Sequence, residues 1–281
     1  MKKYGAIITT AIVTVLSVLS SFSWIAHGED RPFDGEHVVV GVVGDAGEQV
    51  WQHVAKEAAK EGITIDVKLL TDYNTPNASL ADGSLDLNSF QHVAFLEEWN
   101  SANNEDLVHI GYTTINPLRL YSQKVQSIDE LEDGAVIGIP NDPTNGGRAL
   151  LALEIAGLIK VDDAAGVLPT VDDITENDKN IVIEELDASQ IGQALADLDA
   201  GILNVGFAND AGLDPKDALF SDGDKLDELN DIYKNVIAVR KEDENNPLHK
   251  HIVELYQTPE VAKLIVETSN GGGLPAFEVK E

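Results

Sequence analysis

The 281-residue chain carries 49 acidic and 19 basic residues, a formal net charge of −30, with 43% hydrophobic and 24% charged positions and no cysteine. A chain of this length and apolar content can bury a sizeable core in one large domain or two medium ones, while so acidic a surface repels phosphate backbones and anionic headgroups and argues against nucleic-acid binding. Without cysteine, disulfides, thiolate nucleophiles and Cys-ligated zinc or iron–sulfur centres are excluded, and no lipidation on a cysteine is expected.

The N-terminus has the order of an export signal. Lys2 and Lys3 precede an apolar run from Ala6 to Leu19, then Ser20, Ser21 and Ser23, and Ala26-His27-Gly28 offers a small-residue cleavage site. Residues 1–28 are therefore expected to be a signal peptide or an N-terminal membrane anchor. Either version places the body at the outer face of the cell membrane or in the medium, with membrane contact through this segment if it stays uncut.

Past Pro32, strands and helices alternate. His37 to Val43 is a β-branched run, as a strand buried on both faces requires. Gly44 to Gly47 predicts a turn, and Glu48 to Glu61 a helix with Val50, Trp51, Val54 and Ala58 at helical spacing, stopped by Gly62. A second strand is expected over Ile63 to Leu70, then a helix near Asn77 to Asp82, an extended piece from Asp86 to Phe90 and a helix through Phe95 to Ser101. Further strands are expected at Leu107 to Thr113, Leu118 to Ser122, Ala135 to Ile139, Ile181 to Glu185, Ile202 to Phe207 and Asn235 to Arg240. This alternation predicts α/β layers with largely parallel sheets.

The stretch after Ala135 to Ile139 is the most specific local signal. Asp142 is a good N-cap, Pro143 fits the first helical position, and Gly157 supplies a left-handed cap beyond Ala156. Arg148, one of four arginines in the chain, shares a helix face with Thr144 and Asn145. A strand end followed by a helix start is where ligands sit in open α/β sheets. On an exposed face, Arg148 would instead pair with Asp142 or Glu154.

Catalytic and cofactor motifs are lacking. Gly41-Val-Val-Gly44-Asp-Ala-Gly47 is spaced GxxGxxG rather than GxGxxG, and Asn145-Gly-Gly-Arg148 lacks the lysine of a phosphate loop. The histidines at 53, 92, 109, 249 and 251 show no metal spacing, and there is no GxSxG. No cofactor and no metal are expected, and an exported α/β enzyme is the unfavoured alternative. What remains is a set of polar and aromatic residues near strand ends: Tyr73, Phe90, His92, Phe95, Asn145, Arg148, Asn204 and Asn235. An arginine grips a carboxylate through two parallel hydrogen bonds, asparagine both donates and accepts, and aromatic rings enclose an apolar or thioether side chain. Together they would suit a free amino acid.

These residues fall in motifs through which the chain resembles the NlpA/MetQ family of methionine-binding proteins, over about Val38 to Phe277. The segments are TDYNTPN (71–77), LNSFQHVAFL (87–96), PNDPTNGGRALLAL (140–153), GLI (157–159) with LPTVDDI (168–174), and LNVGFANDAGLDP (203–215). DIYKNVIAVR (231–240) and NGGG (270–273) add weaker support. The resemblance implies a periplasmic-binding-protein-like (type II) fold, two α/β lobes with a ligand cleft between them. Residues 36–118 plus 232–281 would form lobe 1 and residues 119–231 lobe 2. It implies capture of L-methionine for an ABC importer permease and its ATPase, or the same role for another apolar amino acid or a methionine-containing dipeptide. Arg148 and Asn145 would hold the ligand carboxylate, Asn204 and Asn235 its α-carbon polar groups, and Tyr73, Phe90, His92 and Phe95 its side chain. The chain departs from the family pattern in lacking the lipobox cysteine, in His92-Val-Ala-Phe95 where HxPY is common, in Phe207 where tyrosine is usual, and in Arg119 where glycine is common.

Overall fold

The computed structural model describes residues 31–223 and 231–279; the signal or anchor segment expected over residues 1–28 lies outside them. Two mixed sheets carry the structure. In the first part of the chain, β1 (His37–Val43) leads into α1 (Asp45–Lys60), followed by β2 (Thr64–Leu70), α2 (Thr75–Ala81), β3 (Leu87–Ser89), α3 (Val93–Asn103) and β4 (Val108–Ile115). The chain then builds a second sheet from β5 (Arg119–Tyr121), β6 (Val136–Pro140), α4 (Pro143–Ile155), β7 (Lys160–Val161), β8 (Ile174–Glu176), β9 (Val182–Leu186), α5 (Ala188–Ala194), β10 (Ala200–Leu203), α6 (Val205–Asp210) and β11 (Phe220–Ser221). It returns to the first sheet with β12 (Lys234–Val239), α7 (Pro247–Tyr256), α8 (Pro259–Thr268) and β13 (Leu274–Pro275).

The first sheet has the order β13-β4-β12-β3-β1-β2 and the second β11-β5-β10-β6-β9, while β7 and β8 pair separately. Parallel pairing is confined to one half of each sheet, β2-β1-β3 and β10-β6-β9. The other halves are antiparallel: β12 and β5, which enter from the opposite sheet, run against β3 and β4 and against β10, and the edge strands β13 and β11 pair antiparallel with β4 and β5. The expectation of largely parallel sheets thus describes half of each.

The core follows from the sequence pattern. Val38, Val40 and Val42 of β1 are fully buried against Val50, Trp51, Val54 and Ala58 of α1, and α7 and α8 close the same cluster with Ile252, Val261 and Ile265. A second cluster joins Leu120 of β5, Ile137 and Ile139 of β6, Ile202 of β10 and Leu150 and Leu153 of α4. α1 starts at Asp45, three residues before the expected Glu48, because Gly44 alone makes the turn with φ at 81°. β10 stops at Leu203 and α6 begins at Val205, so the strand expected to reach Phe207 breaks at Asn204, which occupies the extended N-cap position.

α4 begins as its sequence predicts. The Asp142 side chain accepts from Asn145 N, Pro143 opens the first turn, and Gly157 follows the helix at φ 77°. A Cβ at Gly146 would stand 2.7 Å from the Pro140 carbonyl oxygen, so glycine is what lets α4 lie tight against the end of β6. Among the described residues no helix is long and apolar enough to cross a membrane.

Candidate functional site

The ends of β3, β6, β10 and β12 converge on one cavity, and all eight residues singled out in the sequence line it. They arrive there because each sits where a strand ends or a helix begins. His92 caps α3, with Nδ1 accepting from Phe95 N at 3.1 Å. Asn145 and Arg148 lie on the first turns of α4, Asn204 precedes α6, and Asn235, at the start of β12, bridges to His92.

At one end the cavity is a box of rings. Tyr73 lies 4.8 Å from Phe207, 5.7 Å from Phe90 and 6.0 Å from Phe95, centroid to centroid, and Phe90 meets Phe95 edge-on at 5.7 Å. Burial lifts the Tyr73 phenol well above its ordinary range, with Asp142, Asp210 and Asp187 adding to the effect, so the ring presents a neutral face.

At the other end the groups are polar, and most are committed to one another. Asn145 donates through Nδ2 to both Asp142 oxygens, and its Oδ1 receives Asn204 Nδ2 at 2.8 Å and faces His92 Nε2 at 3.4 Å. Because Nδ1 of His92 is an acceptor, the ring is the neutral tautomer with its proton on Nε2. Burial first, then the nearby Arg148 charge, push its pKa down to about 3. Asn204 Oδ1 is buried and has no hydrogen-bond partner among the described residues. An acceptor left open in a cavity is a place for a ligand donor.

Arg148 is 4% exposed and is not the surface residue that pairing with Asp142 or Glu154 would make it. Its Nε donates to Asp222 Oδ2 at 2.8 Å, its Nη2 donates to the Asn116 carbonyl at 3.1 Å, and its carbon lies 4.4 Å from the Tyr233 ring centre. Those two bonds occupy one side of the guanidinium fork. Nη1 makes no hydrogen bond to the protein among the described residues, and its N–H groups are the ones left for a carboxylate.

Sequence reading misses several lining and supporting groups. Trp51, Asn116, Tyr256, Ser269 and Gly273 also line the cavity. Trp51 reads as core from its spacing, and nothing local marks Asp222 or Tyr233, which reach Arg148 from 74 and 85 residues away. Arg119 donates through Nη1 to the Gly272 carbonyl at 3.0 Å, tying β5 to the loop before β13. Among the described residues no group of three or more His, Cys, Asp or Glu side chains could hold a metal ion.

Comparison with known proteins converges on one family. The model of the NlpA lipoprotein family matches residues 38–277. The D-methionine-binding lipoprotein MetQ of Escherichia coli (strain K12) is 38% identical over 266 residues, covering 93% of this chain and 96% of that protein. The substrate binding protein of a methionine transporter from Streptococcus pneumoniae superposes with a TM-score of 0.80 at 38% identity, over 86% of this chain and 96% of the other. A nutrient binding protein from Burkholderia cenocepacia, solved bound to methionine, gives 0.80 at 40% identity, over 85% of this chain and all of the other (100%). These neighbours share the two-lobed substrate-binding-protein fold expected from the resemblance.

The comparisons also correct one expectation. The protein was expected at the outer face of the cell membrane or secreted, not lipidated on cysteine; the matched family and the relatives are lipoproteins by name, a class that carries lipid on an N-terminal cysteine. The denial of lipidation rested on composition alone, the absence of cysteine from the 281 residues, and the family overturns it.

Proposed function

This chain belongs to the NlpA lipoprotein family, and on that premise we propose that it is the substrate-binding component of an ABC importer, capturing methionine and handing it to a permease powered by its ATPase. It performs no chemistry on the ligand in this reading. The cavity holds receptors for each part of a free amino acid and a ring box for its side chain. Residues 36–118 with 232–281 form one lobe and residues 119–231 the other, and the ligand bridges them.

The observation that carries the proposal is Arg148 Nη1, which has no protein acceptor among the described residues, on a side chain that lines that cavity. Arg148 takes the ligand carboxylate there, with Asn145 beside it. Asn204 offers its unpartnered Oδ1 to the ammonium group, joined by Asn235. Tyr73, Phe90 and Phe95 enclose the thioether, for which ring edges are favourable partners, and His92 closes the wall as a neutral ring.

Titration calorimetry of methionine tests this. The unaltered protein should bind it stoichiometrically. Arg148→Lys keeps a charge for Asp222 but loses the two-bond fork, and should weaken binding on the order of 10- to 1,000-fold. Arg148→Ala strands a buried Asp222 and should also cost roughly 3–5 kcal/mol of stability. A folded Arg148→Lys protein that binds methionine within about threefold of wild type removes Arg148 from the site.

A further inference from the structure

Arg148 is not the only charge buried at the cavity floor. Asp222 is 4% exposed at its side chain, and its two oxygens have separate tasks: Oδ2 accepts from Arg148 Nε at 2.8 Å and Oδ1 accepts from Leu118 N at 2.8 Å. It therefore anchors the guanidinium to the backbone at the start of β5. It also cancels the arginine's charge within hydrogen-bonding distance. The other groups on the ligand side are uncharged. His92 is neutral, Asn145, Asn204 and Asn235 are amides, and Tyr73 and Tyr233 are held as neutral phenols by burial. Asp142 lies behind Asn145, where its carboxylate accepts from the Asn145 backbone and side chain and from Thr144 Oγ1 at the start of α4, a position that offsets a negative charge with the helix dipole.

Resting on the reading above, we infer that Asp222 is a specificity-determining positioning residue: by pairing with Arg148 it makes the cavity floor electrically neutral, so that the site selects an amino acid of zero net charge over a monoanion with the same side chain. Without Asp222, Arg148 is a buried cation with no counter-charge, and any carboxylate supplies one. With Asp222 in place, a bare carboxylate brings an excess negative charge into a desolvated space. A zwitterion does not, because its own ammonium accompanies the carboxylate and meets Asn204 Oδ1. Geometry gives Asp222 a second effect, since holding Nε while Asn116 holds Nη2 leaves Nη1 as the nitrogen the ligand meets.

The test compares affinities for methionine and for 4-(methylthio)butanoate, the same molecule without its amino group, in wild type, Asp222→Asn, Asp222→Ser and Asp222→Glu, with melting temperatures alongside. Asparagine keeps an acceptor for Leu118 N but turns a donor toward Arg148, and serine avoids that clash, so either variant reads the effect if the other does not fold. In the uncharged variants the preference for methionine over the monoanion should fall at least tenfold, while Asp222→Glu stays within threefold of the wild-type ratio. A purely structural role would weaken both compounds alike. Loss of both compounds in equal measure, or a ratio within threefold of wild type in a folded uncharged variant, overturns the assignment. Failure of the wild-type protein to bind methionine refutes the proposed function instead and takes this inference with it.

Discussion

His92 shows how a single side chain reports its surroundings. Its pKa is pushed from 6.5 to about 3, first by burial and then by Arg148, so the folded protein keeps it neutral while the unfolded chain protonates it below about pH 6.5. The sign follows: as pH falls from 6.5 toward 3 the unfolded state takes up a proton that the folded state refuses, and stability declines by up to about 1.4 kcal/mol per pH unit. Above pH 6.5 the contribution vanishes. His92→Gln removes that proton, so denaturant melts at pH 7 and pH 4.5 should show a smaller loss in the variant than in wild type. Equal losses would mean His92 is not held neutral. The type of residue at this position is legible from its motif, but its protonation is not, because it is set first by burial in the folded chain and then by Arg148, 56 positions further along.

Helix α1 is incomplete without a residue 165 positions further along the chain. Its N-cap position is Gly44, which has no side chain to offer, and the Asp45 N–H is met instead at 3.1 Å by Asp210 Oδ1 from the last residue of α6. A carboxylate at a helix N-terminus also suits the helix dipole. Because the bond is exposed, Asp210→Ala should cost roughly 0.5–1 kcal/mol, and Asp210→Asn, which retains an acceptor oxygen, should recover most of it. Chemical denaturation of the three proteins decides this, and equal stability of all three would show that Asp210 caps nothing. The contact marks where sequence reading stops. α4 could be placed from Asp142, Pro143 and Gly157 because its start and stop signals are local, and β1 and β6 because strands buried on both faces are continuous apolar runs. The break at Asn204 was hidden by Val205 and Phe207, which favour strands by propensity but are helical here. α7 and α8 carry local signals too, since Asn246-Pro247 and Thr258-Pro259 are cap-and-proline starts in which the Asn246 and Thr258 side chains accept from Leu248 N and Val261 N. The antiparallel halves of both sheets were out of reach, since strand direction depends on where the chain re-enters, and no local signal records that.

Over the whole molecule the charge separates two properties that often move together. With 49 acidic and 19 basic residues, at least 49 − 19 = 30 carboxylates lack a cation of their own. Self-repulsion of that size destabilises the compact state, and salt relieves it as the screening length shrinks from about 30 Å at 0.01 M to about 3 Å at 1 M. The melting temperature should therefore rise by several degrees between low and molar salt, whereas the surface ion pairs, such as Lys124–Asp199 at 3.0 Å, weaken and oppose the rise only slightly. The cavity floor answers differently. Arg148 and Asp222 are each 4% exposed and cancel one another, and a zwitterion adds no net charge, so salt has little to screen there. Methionine affinity should accordingly change less than about threefold over the range in which stability climbs, because what remains to be screened is no more than an exposed-pair interaction of up to ~0.6 kcal/mol. Calorimetric titrations and melts across one salt series read both quantities on the same samples. An affinity that weakens tenfold with salt would mean the ligand is held by an uncompensated charge, and the pairing of Arg148 with Asp222 would not describe the site.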